Sequence, residues 1–267
     1  MTAIHSCLGI CTKEGFNQRE FYPNHHSAHP MSTQANIIRY IFKLGNEEIT
    51  YEIDIDFQLS NESSGEAASY PEWTLLKRHQ CECCPLKDSE HLYCPAAIRM
   101  HQVLDRFKGH GSIQQIELRV EKARRNYEIS CDLQNGLNSM LGLQMATSGC
   151  PVVGELRSMA TFHTPYSSFA ETLYRAVSGY LTKQYFVQQN GGEPDWELKG
   201  LQAFFNKLEG LNQDFSQRIQ EIDQNDAISN AMVMFFASSI IIADLIDDGL
   251  TEYQDYFTGQ TSLPPEA

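Results

Sequence analysis

The chain has 267 residues, of which 42% are hydrophobic and 20% charged, enough apolar material for a packed core. Thirty-four acidic against 20 basic side chains leave a net charge of −14. That balance argues against a duplex nucleic-acid binder and against a surface drawn to anionic lipid, since both need a surplus of Lys and Arg. No stretch reads as a secretory signal, so the expectation is a cytoplasmic protein with reduced cysteines, no nucleic-acid partner and no membrane.

Residues 1–30 show no hydrophobic periodicity and are expected to form a disordered leader. It carries Cys7, Cys11 and an H-H-x-x-H cluster at His25, His26 and His29. IIRYIFKL (37–44) is β-rich, Gly45-Asn46 is a turn signal, and ITYEIDIDFQL (49–59) alternates apolar and polar residues. Together they predict a hairpin with one wet face. NESSGEAAS (61–69) reads as a loop. PAAIRMHQVLDRFKGHG predicts a helix from Pro95 to about Lys108, with proline in its first turn and Gly109 at its end. SIQQIELRVE and NYEISCDL predict a second hairpin around 122–125, whose basic tip is expected to be a solvated turn. A helix over 133–147 follows, SGCP closes it, and a short helix restarts at Pro151.

The remainder reads as helix. Ser168-x-x-Glu171 is a capping box opening a helix that ends at Asn190-Gly191-Gly192. Between Asp195 and about Ile222, apolar residues recur every seven: Leu201, Leu208, Phe215 and Ile222, with Phe204, Leu211 and Ile219 between them. This a/d seam predicts a helical hairpin with the apolar helix of 226–246, serving as core or as a homodimer face. AMVMFFASSIIIA (231–243) is thirteen residues, read as too short to span a bilayer, and its Met and Phe side chains are expected to be core. Asp244, Asp247 and Asp248 are expected to be a solvated helix end rather than a cation site. The order of elements predicts an α+β fold: a small antiparallel sheet of two hairpins with a mostly α-helical C-terminal half. The expected division is a leader (1–30), a Cys-rich metal-binding domain (31–190) and a helical hairpin packed on it (191–267).

Four of the eight cysteines fall in HQCECCPLKDSEHLYCP (79–95). Cys81-x-x-Cys84 can present two sulfurs to one ion through a tight knuckle, as in tetrahedral zinc and iron–sulfur sites. Cys94 returns across the polar loop LKDSEHLY. The fourth ligand is expected to be Cys150, because Cys84-Pro85, Cys94-Pro95 and Cys150-Pro151 share a mark that the other cysteines lack. Proline removes an N–H and fixes the chain after the ligand. The predicted metal site is therefore Cys81, Cys84, Cys94 and Cys150, holding zinc or, as the alternative, an iron–sulfur cluster. Cys83 has no role in it, unless it ligates in place of Cys81. His79 and His91 could replace Cys150. Cys131 reads as a small core residue.

A different use of Cys150 is open. Placed at the N-terminus of the next helix it would have a depressed pKa, with His163 as base and Arg157 to hold an anion, making a thiol- or cluster-dependent redox enzyme. A third reading is an oligomeric interaction scaffold built on the heptad helix. The substrate, if any, is not written in these residues.

HQCECCPL with YCP, then LGLQMATSGCP, then FHTPY, resembles a family of uncharacterised bacterial proteins that pairs a CxxCPL…CP loop with a MATSGCP turn and a downstream F-H-x-P segment. The resemblance covers roughly residues 36–190. It implies grouping Cys81, Cys84, Cys94 and Cys150, the positions that match its motif, and it implies no activity. Cys83 stands where that pattern has another residue.

Overall fold

The computed structural model describes residues 36–56, 70–220 and 226–264, which belong to one compact unit. The leader with its His cluster, the loop 61–69 and Ile222 lie outside the described residues. The fold is α+β: a four-stranded antiparallel sheet of two hairpins, with helices concentrated in the C-terminal half. The strands are β1 (Ile37–Leu44), β2 (Glu47–Asp54), β3 (Gln115–Lys122) and β4 (Arg125–Asp132), in the order β2-β1-β3-β4.

Alternation along the strands separates the two faces. Ile38, Tyr40, Phe42 and Leu44 of β1, Ile49 and Ile53 of β2, and Ile116, Leu118 and Val120 of β3 are buried on one side. The register sets Arg39 opposite both Glu52 and Glu121 on the other side. Arg39 pairs with those two carboxylates at 2.7 and 3.0 Å. These exposed pairs set register more than they stabilise, since such pairs contribute about 0–1 kcal/mol each. Arg119 pairs with Glu121 and Glu128 in the same lattice, so the basic hairpin tip is interleaved with acids.

Two helices cover the apolar face. α1 (Pro95–Phe107) buries Met100, Val103 and Phe107, and α2 (Leu133–Ala146) buries Leu133, Leu137, Met140 and Leu141. Gly136 lets α2 approach closely: a Cβ there would stand 2.9 Å from Leu118 Cδ2 and 3.0 Å from Ile116 Cδ1. Truncating a fully buried Leu such as Leu137 to Ala costs about 2–5 kcal/mol.

After α2 the chain makes a 3-10 turn (Val153–Leu156), α3 (Arg157–Thr161) and α4 (Phe169–Gln189). The capping box is formed at both ends: Glu171 N–H donates to Ser168 Oγ at 3.2 Å, and Ser168 N–H donates to Glu171 Oε2 at 2.7 Å. α5 (Lys199–Gln220) and α6 (Asp226–Asp247) pack as a helical hairpin, and α6 also packs on α2. The α5 seam, Leu201, Phe204, Leu208, Leu211, Phe215 and Ile219, is buried within the chain. A 3-10 turn (Thr251–Tyr253) and α7 (Gln254–Phe257) end the described fold.

Three expectations need correction. α5 starts at Lys199 rather than Asp195, because Leu198 turns the chain at φ +61° and Asp195 accepts hydrogen bonds from Tyr180 Oη and Gly200 N–H. The β2 strand stops at Asp54. The apolar run 231–243 sits inside a longer helix: Ala227–Asp247, with mean hydropathy 1.7, is long and apolar enough to cross a membrane. In the fold, one side of it (Ile228, Met232, Phe236, Ile242, Ile246) is buried, while Val233, Ile240 and Ile241 are exposed.

Candidate functional site

The segment between β2 and α1 carries three of the predicted ligands and has little regular structure, so its backbone bonds show what holds it. A 3-10 turn (Glu72–Thr74) precedes it. Leu76 N–H donates to Leu92 O at 2.9 Å and Cys94 N–H to Thr74 O at 2.8 Å, closing the loop at its base. Inside, Cys84 N–H donates to Cys81 O at 2.9 Å, which makes the C-x-x-C stretch a tight turn, and Gln80 Nε2 donates to Leu86 O at 2.8 Å. The knuckle docks on α5, where Glu82 N–H donates to Asp214 Oδ2 at 3.1 Å.

Cys94 and Cys150 occupy equivalent places in two different turns. Cys94 is the N-cap of α1, followed by Pro95 at the first helical position. Cys150 precedes Pro151 and the 3-10 turn, where Gly154 N–H donates to Cys150 O at 2.8 Å. Proline costs nothing at that position because its missing N–H would have been unpaired anyway. The next two N–H groups are left facing the sulfur: Ala96 and Ala97 for Cys94, Val152 and Val153 for Cys150. Cys94 makes no capping hydrogen bond with its side chain, so these dipoles act on its charge at longer range. Gly149 at φ +88° and the bond from Cys150 N–H to Ser148 Oγ at 3.2 Å turn the chain between α2 and this cysteine.

The structure brings the four predicted cysteines together. Cys81, Cys84, Cys94 and Cys150 line one cavity of about 20 Å³, walled by Leu76, Leu86, Val152, Leu211 and Phe215. The sulfurs surround this cavity without converging on one point: among the described residues, no three His, Cys, Asp or Glu side chains are grouped closely enough to hold a metal ion. Cys83 is absent from the lining and turns to α5, with Sγ 3.9 Å from Lys207 O. Neither His79 nor His91 lines the cavity.

Burial dominates the electrostatics. It pushes the Cys81 thiol up to about 12, with further increments from Cys94, Cys83, Cys150 and Asp214. It pushes Cys150 up to about 11, outweighing the two N–H groups that favour its thiolate. Cys94 is raised by burial as well, against the opposing pull of Arg218 and of the Ala97 and Ala96 N–H groups. A helix N-terminus alone would depress a thiol pKa, but here desolvation is the larger effect.

Arg218 was not legible as a site residue. It lies in the α5 stripe, is 1% exposed and lines the cysteine cavity. Its guanidinium donates to Trp73 O and Leu75 O at 2.7 Å, to His79 O at 3.2 Å and to Leu76 O at 3.4 Å. It therefore fixes the backbone on which Cys81 stands and sets a positive charge beside Cys94.

His163 and Arg157 lie elsewhere. His163 Nε2 is 2.5 Å from Tyr40 Oη, and it lines a second cavity that Cys150 does not reach. Burial, with Arg175 and Lys122 nearby, lowers its pKa to about 3. Arg157 reaches Ile55 O at 3.4 Å and Asp56 at 3.9 Å.

Fold and site define an α+β protein built around a buried, cysteine-lined cavity. The chain belongs to the family described as Domain of unknown function (DUF6901), which matches residues 37–258. That match runs past residue 190 and takes in the α5–α6 hairpin. No curated protein and no solved structure matches the chain.

Proposed function

We propose that this is a metal-binding protein in which Cys81, Cys84, Cys94 and Cys150 hold one zinc ion in a structural site. The observation carrying this reading is that four cysteines from three separate turns line a single small cavity. Two of them have backbone N–H groups facing the sulfur, an arrangement that favours thiolate over thiol. Arg218 beside Cys94 offsets part of the negative charge that four thiolates around one divalent ion would carry.

The reading asks the thiols to lose their protons and turn inward until each sulfur stands about 2.3 Å from the ion. Raised thiol pKa values are compatible with this, because the ion replaces the protons. The size of the cavity favours a single ion: about 20 Å³ is room for one water-sized body, whereas a four-iron cluster brings four irons and four sulfides. Bound zinc would join the 79–95 loop to the turn after α2 and contribute directly to folding.

The test is metal content and cobalt substitution in protein purified anaerobically. About one zinc per chain is expected, with a tetrahedral four-sulfur spectrum once cobalt replaces it. Cys81→Ser, Cys84→Ser, Cys94→Ser and Cys150→Ser are each expected to lose the metal, while Cys83→Ser and Cys131→Ser keep it. Brown protein with equal iron and sulfide would replace zinc by a cluster. Metal-free protein whose Cys150 is alkylated rapidly at neutral pH would overturn the site and favour thiol chemistry.

A further inference from the structure

Beyond the metal site, a second cavity of about 430 Å³ opens where α2, α4 and α6 meet. That volume lies in the range of small-molecule pockets, about 300–1,000 Å³. His163, Thr164 and Tyr166 of the FHTPY segment, with Ser167 just after it, form part of its wall. The metal site makes no use of them. Tyr166 holds a left-handed backbone, φ +59°, pinned by its N–H to Ser139 Oγ at 3.2 Å and its Oη to Leu118 O at 3.3 Å. Strain of this kind persists only where the surroundings over-determine it, and it concentrates at binding sites.

The decisive residue is Arg175 on α4. Among the described residues it is the only Arg or Lys lining the cavity, and no Asp or Glu lines it, in a chain with 34 acidic side chains. Nη1 donates to Phe162 O at 3.4 Å, and the buried Nε has no hydrogen-bond partner. No carboxylate forms an ion pair with Arg175 among the described residues. Glu171 is the acid that acts on it most, and its carboxylate is already engaged by Ser168 N–H. A half-buried guanidinium held in no ion pair gains from an anion in the cavity. With Nη1 engaged and Nε enclosed, Nη2 is the guanidinium nitrogen left to donate to an anion in the cavity. Leu143, Phe169, Phe205 and Ile242 line the same cavity.

We propose that this cavity binds a small monocarboxylate with an apolar body, its carboxylate on Nη2 of Arg175 and its body against Leu143, Phe169, Phe205 and Ile242. A single cation matches a single negative charge, which favours a carboxylate over a phosphate dianion. The apolar wall selects against small hydrophilic acids such as acetate.

The test is calorimetric titration of the full-length protein with octanoate, phenylacetate and indole-3-acetate, using 1-octanol and inorganic phosphate as controls. At least one carboxylate is expected to bind at one per chain. Octanoate is expected to bind about tenfold or more tighter than 1-octanol, and Arg175→Met to abolish that preference. Equal binding of octanoate and 1-octanol, unchanged octanoate binding in Arg175→Met, tighter binding of phosphate, or no binding by any of the three acids overturns the proposal. Where Arg175→Met does not fold, phenylglyoxal modification of the wild-type protein, read by mass spectrometry, decides. The best-binding acid is expected to protect Arg175, and 1-octanol is not; equal modification in both overturns the proposal. Chelation of metal is expected to leave binding intact in protein that stays folded, which separates this site from the cysteine cavity.

Discussion

Two buried residues carry charge chemistry that a sequence pattern does not display. Arg218 falls in the last turn of a heptad helix, and the apolar repeat gives it no role. Its burial follows from carbonyl groups roughly 140 positions upstream, Trp73 O and Leu75 O among them, and nothing local announces that meeting. Arg218→Met removes the guanidinium hydrogen bonds to four carbonyls, of which Leu75 O keeps the Arg78 N–H, and is expected to cost about 3 kcal/mol or more, measured as a lower urea midpoint at constant slope. A loss below about 1 kcal/mol would contradict the role given to it. His163 is the second case. Its folded-state pKa of about 3 lies below the ordinary 6.5, so the unfolded chain takes up a proton that the folded one refuses. Its contribution to stability is intact above pH 6.5 and shrinks as pH falls from there towards 3, by up to about 1.4 kcal/mol per pH unit. In His163→Gln that part of the acid slope is expected to vanish, which chemical denaturation at stepped pH values measures.

Elements were far more legible than these contacts, for reasons visible in particular segments. β1 and β3 announce themselves because apolar residues recur at every second position, Ile38, Tyr40, Phe42 and Leu44 in one and Ile116, Leu118 and Val120 in the other, and all seven are buried. The capping box at Ser168 is readable because its hydrogen bonds span only three residues; Ser168→Ala is expected to cost about 1 kcal/mol, seen as a small drop in melting temperature. The start of α5 was misplaced because periodicity cannot register the backbone reversal at Leu198, which depends on Tyr180 and Gln184 of the preceding helix holding Asp195. Cys-Pro proved a readable mark for a structural reason: in Cys94-Pro95 and Cys150-Pro151 it places a sulfur at the head of a helical turn. What it could not show is that burial, rather than the helix end, dominates the thiol pKa. Gly149 at φ +88° is the hinge of the second turn, and Gly149→Val is expected to weaken metal retention without removing a ligand, measurable as faster zinc transfer to a chromogenic chelator.

Across the whole molecule, the proposed ion would bridge segments that the sheet alone leaves loosely joined. Removing it with a chelator at neutral pH is therefore expected to lower the melting temperature by about 5 °C or more, and restoring zinc to return it, given that each kcal/mol is worth about 2–4 °C at this size. An unchanged melting temperature in protein that had carried zinc would rule out a structural role for the ion. The cavity also gives the family's length a meaning. All four cysteines that line it precede residue 190, yet Leu211, Phe215 and Arg218, which line it too, come from α5. A chain cut after Gln189 would keep all four of these cysteines and lose that part of the wall. With the proposed ion bound, the C-terminal hairpin would act as a guard against metal theft, slowing the escape of the ion rather than attracting it.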